Sequence, residues 1–264
     1  MKKALLIAFC VLIVSGIAFA RGGSDAEKLV CGVTEFEPMN FRDARGNWTG
    51  FDTELAQLVG QKLNLRVEFQ EIEWANKYQE LEAGTINCIW NGFTANSSEN
   101  GVPRSNMVDF SYSYLRNQQC IVIRSARAVE FRSIDSLRGK TAAAESGSAG
   151  ESAAEEAVGD SGRIIGTTAQ INTFLEVKSG AVDCAVVDIL LAQRLAGSGD
   201  YSDLMIANIT LPHEVYAVGF KKGSGLRDMV NRALKELYDE GKMAELARKY
   251  KLEDSLVLDT NFRG

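Results

Sequence analysis

Residues 50–72, GFDTELAQLVGQKLNLRVEFQEI, join two kinds of hydrophobic periodicity without a break. Up to Asn64 the apolar residues Phe51, Leu55, Leu58, Val59 and Leu63 fall on one stripe of an amphipathic helix, with Asp52 or Thr53 near its cap. From Leu65 they alternate, in LRVEFQEI, as they do along a strand. Working outward, KLVCGVT (28–34) reads as a strand, ANKYQELEAG (75–84) as a helix stopped by Gly84, and INCIWNG (86–92) as a third strand. This β-α-β-α-β order predicts a parallel sheet covered by helices. Ligands of such sheets gather at the carboxyl ends of the strands.

A second α/β unit follows SYSYLRNQQCIVIRS (111–125). Its strands are KTAAAES (140–146) and AVDCAVVD (181–188), its helices AGESAAEEAV (149–158), INTFLEVKSG (171–180) and ILLAQRLAG (189–197). EVYAVGFKK (214–222) reads as a strand returning from this unit. Residues 225–250 carry a strong helical pattern broken by Gly241. With three prolines, no low-complexity linker and no internal repeat, nothing divides the chain further.

The chain of 264 residues opens MKKALLIAFCVLIVSGIAFA. Lys2 and Lys3 precede an apolar run, and Ala18 and Ala20 form an A-x-A site, the pattern of a secretory signal peptide over residues 1–20. Cys10 raises lipidation as an alternative, disfavoured by the bulky Phe9 and the apolar run beyond it; an uncleaved membrane anchor is the other. Removing Lys2 and Lys3 from the 29 basic residues leaves 27 against 35 acidic, a net charge of −8. That surface excludes nucleic acid as a partner, because phosphates demand basic stripes. Cys31, Cys88, Cys120 and Cys184 each sit inside an apolar run, where a free cysteine behaves as a small hydrophobe. An exported chain also permits disulfides, Cys31 with Cys88 being the pair whose strands could lie side by side. No spacing suggests a metal site, and no cofactor is expected.

Residues 90–104, WNGFTANSSENGVPR, open an apolar strand into a loop of small and polar residues that ends on an arginine. Such a loop offers backbone and hydroxyl hydrogen bonds, and the arginine a fork for a carboxylate; the plain alternative is a solvated connection.

Five segments in order across about residues 28–252 resemble the family 3 extracellular solute-binding proteins, the polar amino-acid receptors of ABC importers. They are GNWTGFDTELAQLVGQKLN, TINCIWNGFT, VDFSYSYL, SLRGKTAAAESGSAGE and GLRDMVNRALKELYDEGKMAELARKY. The resemblance implies an α/β, type II periplasmic-binding-protein fold, each lobe a mainly parallel sheet flanked by helices, with the ligand in the cleft between two lobes. One lobe would comprise residues 25–115 and 221–264, the other 119–214, joined by hinge strands at about 116–119 and 214–220, and the helical tail would pack on the first.

The resemblance also assigns residues. Asn91 and Gly92 take the backbone positions for the ligand's α-ammonium, and Thr94 the hydroxyl. Glu99 stands where the family arginine normally follows. Counting back from DFS, Arg104 occupies that arginine's place, given an insertion within residues 96–103; otherwise it is a surface arginine beside a remodelled loop. Ser148 and Ala149 open a helix whose free amides suit a carboxylate, although Ser148 is equally an ordinary cap. Asp188, at a strand's carboxyl end, matches the aspartate that pairs with the α-ammonium. Phe36 and Trp74 match aromatics around the ligand. Thr34 departs from a frequent aspartate, which favours a polar or neutral amino acid, although Glu35 beside it could restore the negative contact that a basic side chain needs. The expected protein is a monomeric extracytoplasmic receptor that delivers an amino acid to a cognate ABC permease, not an enzyme. Its rivals are an exported enzyme of the same fold, of the cyclohexadienyl dehydratase type, and a sensory or adhesive binding protein. His213, the one histidine, has no Ser or Cys nucleophile motif around it.

Overall fold

A computed structural model describes residues 27–262; the expected signal peptide and Cys10 lie outside them. The first part of the chain runs β1 (Lys28–Val33), β2 (Phe41–Arg42), β3 (Trp48–Thr49), α1 (Phe51–Leu63), β4 (Arg66–Glu71), α2 (Lys77–Ala83), β5 (Cys88–Ile89), β6 (Ser98–Glu99), β7 (Val102–Pro103), α3 (Arg104–Met107) and β8 (Asp109–Phe110). There follow β9 (Ser113–Arg124), β10 (Thr141–Glu145), α4 (Ala149–Val158), β11 (Arg163–Thr167), α5 (Gln170–Ser179), β12 (Cys184–Asp188), α6 (Ile189–Leu195) and β13 (Leu204–Ile206). The chain ends with β14 (His213–Tyr216), β15 (Gly219–Phe220), α7 (Leu226–Asp239), α8 (Lys242–Tyr250) and β16 (Leu256–Asp259).

The first lobe is built on a five-stranded sheet in the order β4-β1-β5-β15-β8. β1 runs parallel to β4 and β5, as the alternation predicts, whereas β15 returns antiparallel to β5 and β8. The segment 214–222 is therefore two strands, and its far end, Gly219–Phe220, is part of the first lobe's sheet. α1 is preceded by Gly50, with no side-chain cap, and followed by Asn64 in the left-handed conformation. Asp52 and Thr53 do not cap the helix; both are buried, Asp52 accepting from Gly92 N in the loop after β5 and Thr53 donating to Asn40. In α7 the buried stripe Val230, Ala233, Leu234 and Leu237 faces the core, and Gly241, at φ 74°, separates α7 from α8. The tail docks on α1, where Tyr250 Oη accepts from Gly50 N at 3.1 Å and donates to Glu54 at 2.6 Å.

The second lobe carries the order β11-β10-β12-β9-β13. β10 is parallel to β11 and β12, and β12 is antiparallel to β9. β11 is a strand the apolar pattern did not reveal, because Arg163, Gly166 and Thr167 dilute RIIGT. β12, CAVVD, is buried along its whole length, as a central strand covered on both faces must be.

The lobes are joined through β9. Its residues 115–118 pair with β14, while residues 119–123 pair with β12. β16 adds a third strand beside this crossing, pairing with Leu115 and Ser113.

Candidate functional site

The cleft between the lobes is lined by Trp74, Asn91, Gly92, Thr94 and Arg104 from the first lobe and by Glu145, Ser148, Ala149, Gln170 and Asp188 from the second. Eight of these ten are ligand contacts expected from the sequence; Glu145 and Gln170 are not among those expected contacts. The cleft is nearly shut. Its free volume is about 10 Å3, room for about one water, so an amino acid enters only when the lobes part.

The loop after β5 is held from α1. Asp52 Oδ2 accepts from Gly92 N at 2.6 Å. Thr53 Oγ1 donates to Asn40 Oδ1 at 2.7 Å, and Asn40 Nδ2 donates to Asn91 Oδ1 at 2.7 Å. Asn91 in turn donates to the Thr34 hydroxyl at 2.7 Å. Its side chain is thus spent on fixing the loop, which leaves the backbone to face the cleft. Gly92 stands at φ 54°, and a Cβ there would lie 2.4 Å from Phe36 Cε1. Burial drives the Asp52 carboxyl up to about 7, against the pull of the Gly92 amide.

Arg104 is 1% exposed and opens α3. Its guanidinium donates from Nη1 to Thr94 O and from Nη2 to Gly147 O, both at 3.0 Å, while Nε makes no hydrogen bond and lies 3.7 Å from the Glu99 carboxylate. The segment 96–103 is a hairpin. Asn100 (φ 52°) and Gly101 (φ 75°) form its turn, and Arg104 N bonds to Ser97 O at 3.0 Å, closing its base. Asn-Gly is a strong hairpin signal, with both residues tolerating positive φ, and it stood legibly in SSENGVPR. The hairpin reaches the other lobe: Ser152 Oγ of α4 donates to Ser98 O at 3.0 Å.

Glu99 does not take the arginine's place; it pairs with a cation that sequence reasoning passed over. Lys77 Nζ lies 2.9 Å from the Glu99 carboxylate and donates across the cleft to Gly147 O at 2.9 Å. Lys77 is fully buried, and burial, with Arg104 nearby, lowers its ammonium to about 8. One lysine on a polar helix gave no signal of this.

On the second lobe, Ser148 caps α4 by accepting from Glu151 N at 3.0 Å. Asp188 Oδ1 accepts from Tyr216 Oη at 2.6 Å, from Gln119 Nε2 at 3.0 Å and from Asn117 Nδ2; Oδ2 accepts from Gln170 Nε2 at 2.5 Å. Burial raises the Asp188 carboxyl while these donors pull it back. Glu214, on β14, accepts from Thr94 Oγ1, Asn117 and Gln119, and burial together with the charge of Asp188 pushes it to about 7. Glu145 is 4% exposed, and the same two causes push it to about 8. The strand-end rule that flagged Asp188 applies equally to Glu145, the last residue of β10.

Three sequence candidates lie behind or outside this wall. Thr34 supports Asn91, and Glu35 faces away, 3.8 Å from Arg42 at the surface. Phe36 is buried beneath Gly92, edge-on to Tyr216 at 6.4 Å.

Two α/β lobes, strands crossing between them and a charged cleft at the crossing define a type II periplasmic-binding-protein fold. The sequence profile of the bacterial extracellular solute-binding proteins, family 3, matches residues 29–253, and the chain belongs to that family. It is 27% identical to the arginine-binding extracellular protein ArtP of Bacillus subtilis over 95% of this chain and 98% of that one. A histidine-bound substrate-binding protein of an ABC uptake transporter from Streptococcus pneumoniae superposes with a TM-score of 0.76 at 30% identity, covering 87% of this chain and 94% of its own. An ancestral amino-acid-binding protein, AncCDT-1, described as a precursor of cyclohexadienyl dehydratase, superposes at 0.74 with 26% identity over 84% and 95%.

Proposed function

We propose that this protein is an extracytoplasmic amino-acid receptor of an ABC importer, a monomer that closes around an α-amino acid and delivers it to a membrane permease. The observation that carries the reading is the meeting of Arg104 and Asp188, from opposite lobes, on one narrow cleft. A guanidinium and a carboxylate on facing walls match the two charges of a zwitterion. The ligand carboxylate takes the Arg104 fork by displacing its carbonyl partners; the α-ammonium lies against Asp188 and the backbone of residues 91–94. Both contacts exist together only when the lobes are closed, so binding shifts the hinge equilibrium toward closure. The relatives' names, arginine-binding for ArtP and histidine-bound for the pneumococcal protein, support an amino acid as ligand.

An enzymatic reading needs positioned acid and base groups. His213 is exposed at the start of β14 and does not line the cleft. Glu145 and Glu214, both pushed toward neutrality, are the candidates, and AncCDT-1 is the neighbour that keeps this reading in the test.

The test is a thermal-shift screen against the twenty amino acids, ornithine, cystine and prephenate. A ligand at a thousandfold excess over Kd stabilises the folded protein by about 4 kcal/mol. A shift with one or a few amino acids is expected. A shift with prephenate alone, or consumption of prephenate, would replace the receptor by an enzyme.

A further inference from the structure

We propose that Glu145 selects the ligand's side chain, and that the preferred ligands are α-amino acids whose side chain ends in a cationic nitrogen. This rests on the receptor reading and adds what that reading lacks, a determinant of specificity.

The argument is a charge inventory of the cleft. Four carboxylates border it, Glu99, Glu145, Asp188 and Glu214, against two cations, Lys77 and Arg104. The hairpin 96–103 disposes of one cation: Glu99 holds Lys77 at 2.9 Å, and Tyr78 Oη donates to the same carboxylate at 3.1 Å. Arg104 therefore remains for the ligand carboxylate. On the acidic side, Asp188 has four side-chain donors and Glu214 three. Glu145 has no such set. Its neighbour Gln170, the one side-chain donor acting on it, also serves Asp188, giving Nε2–H to Oδ2 at 2.5 Å and accepting from Asp188 N at 3.0 Å. Glu145 thus brings to the cleft wall a buried carboxylate that shares its single side-chain donor with Asp188 and otherwise has only the charges of Lys77 and Arg104 acting in its favour.

A neutral side chain leaves that carboxylate protonated or unpaired, and an acidic one adds repulsion. A guanidinium or ammonium on the ligand supplies the missing partner. Thr34, whose departure favoured a polar or neutral ligand, and Glu35, the acid that could have offset it, do not line the cleft, so the acid comes from the second lobe. The titration behaviour agrees. The groups acting on Glu145 are Asp188 from β12, Gln170 from α5, and Lys77 and Arg104 from the first lobe, and the balance of burial and the Asp188 charge holds it near 8. A cationic ligand pulls it down, so binding near pH 7 releases a proton.

The experiment is calorimetry of the wild-type protein and of Glu145→Gln with arginine, lysine and ornithine and with citrulline, the neutral isostere of arginine. The wild type should bind a cationic ligand about 100-fold more tightly than its neutral counterpart. Glu145→Gln should remove most of that preference while leaving citrulline unchanged or improved. Wild-type runs in buffers of different ionisation enthalpy give a readout independent of the variant's folding, and proton release with arginine but not citrulline is expected. Equal losses for both ligands in the variant, or no proton release in the wild type, would overturn the assignment. A wild type that prefers neutral amino acids would overturn it while leaving the receptor intact; binding of no amino acid at all would overturn both.

Discussion

Replacing Arg104 with alanine tests the receptor at its most committed residue. The side chain is 1% exposed and spans the cleft, tied to Thr94 O and Gly147 O at 3.0 Å each. Without it the ligand carboxylate closes into a wall that still carries Glu99, with Lys77 already paired. Leaving a buried carboxylate without its charged partner costs about 3–5 kcal/mol, equivalent to a rise in Kd of roughly 200- to 5,000-fold. Titration calorimetry with the best ligand from the screen measures this directly. Arg104→Lys keeps the charge but loses the planar fork, so its loss should be intermediate. Urea unfolding of each variant confirms that the protein compared is folded. Wild-type affinity in folded Arg104→Ala would refute the reasoning, because the carboxylate would then be held elsewhere.

Asp188→Asn should weaken α-amino acids far more than analogues lacking the amine, measured by competition calorimetry; equal losses would make Asp188 a support for the lobe. Gly92→Ala places a Cβ 2.4 Å from Phe36 at φ 54°, and should lower stability by about 3 kcal/mol in urea unfolding and weaken ligand binding. Stability without ligand should fall as pH rises. Asp52, Glu145 and Glu214 are held at about 7, 8 and 7 against ordinary values near 4, so between these limits the native state binds more protons than the unfolded one. The loss should total several kcal/mol between pH 5 and 8. A flat or rising profile of unfolding free energy would contradict that burial.

Periodicity determined most of the elements, β11 excepted. The alternation in LRVEFQEI and the stripe in ELAQLVGQKL are local consequences of side-chain direction, and each became the strand or helix it predicts. Asp188 was legible for a related reason: a charged residue ending the buried run CAVVD must lie at a strand's mouth. The hairpin was legible in principle, from Asn100–Gly101, although what it is for was not. Its value lies in placing Glu99 beside Lys77, residues 22 positions apart whose pairing no pattern along the chain encodes. The same holds for Asp52 and Thr53, which suggested a cap from their place before an apolar run; Asp52 instead holds a loop 40 residues away, and Thr53 holds Asn40, which bonds to that loop.

By itself the sequence established most of the elements and their order, the family resemblance, and Arg104 and Asp188 as candidates for the two ends of the ligand. Tertiary structure decided which other charges join them. Glu145 ends a strand flanked by β11 and β12 and is acted on by groups from both lobes, and Glu35, which looked equally available, points to solvent. The reason is physical: periodicity says which face of an element is buried, whereas the state of a buried charge depends on every group folded against it.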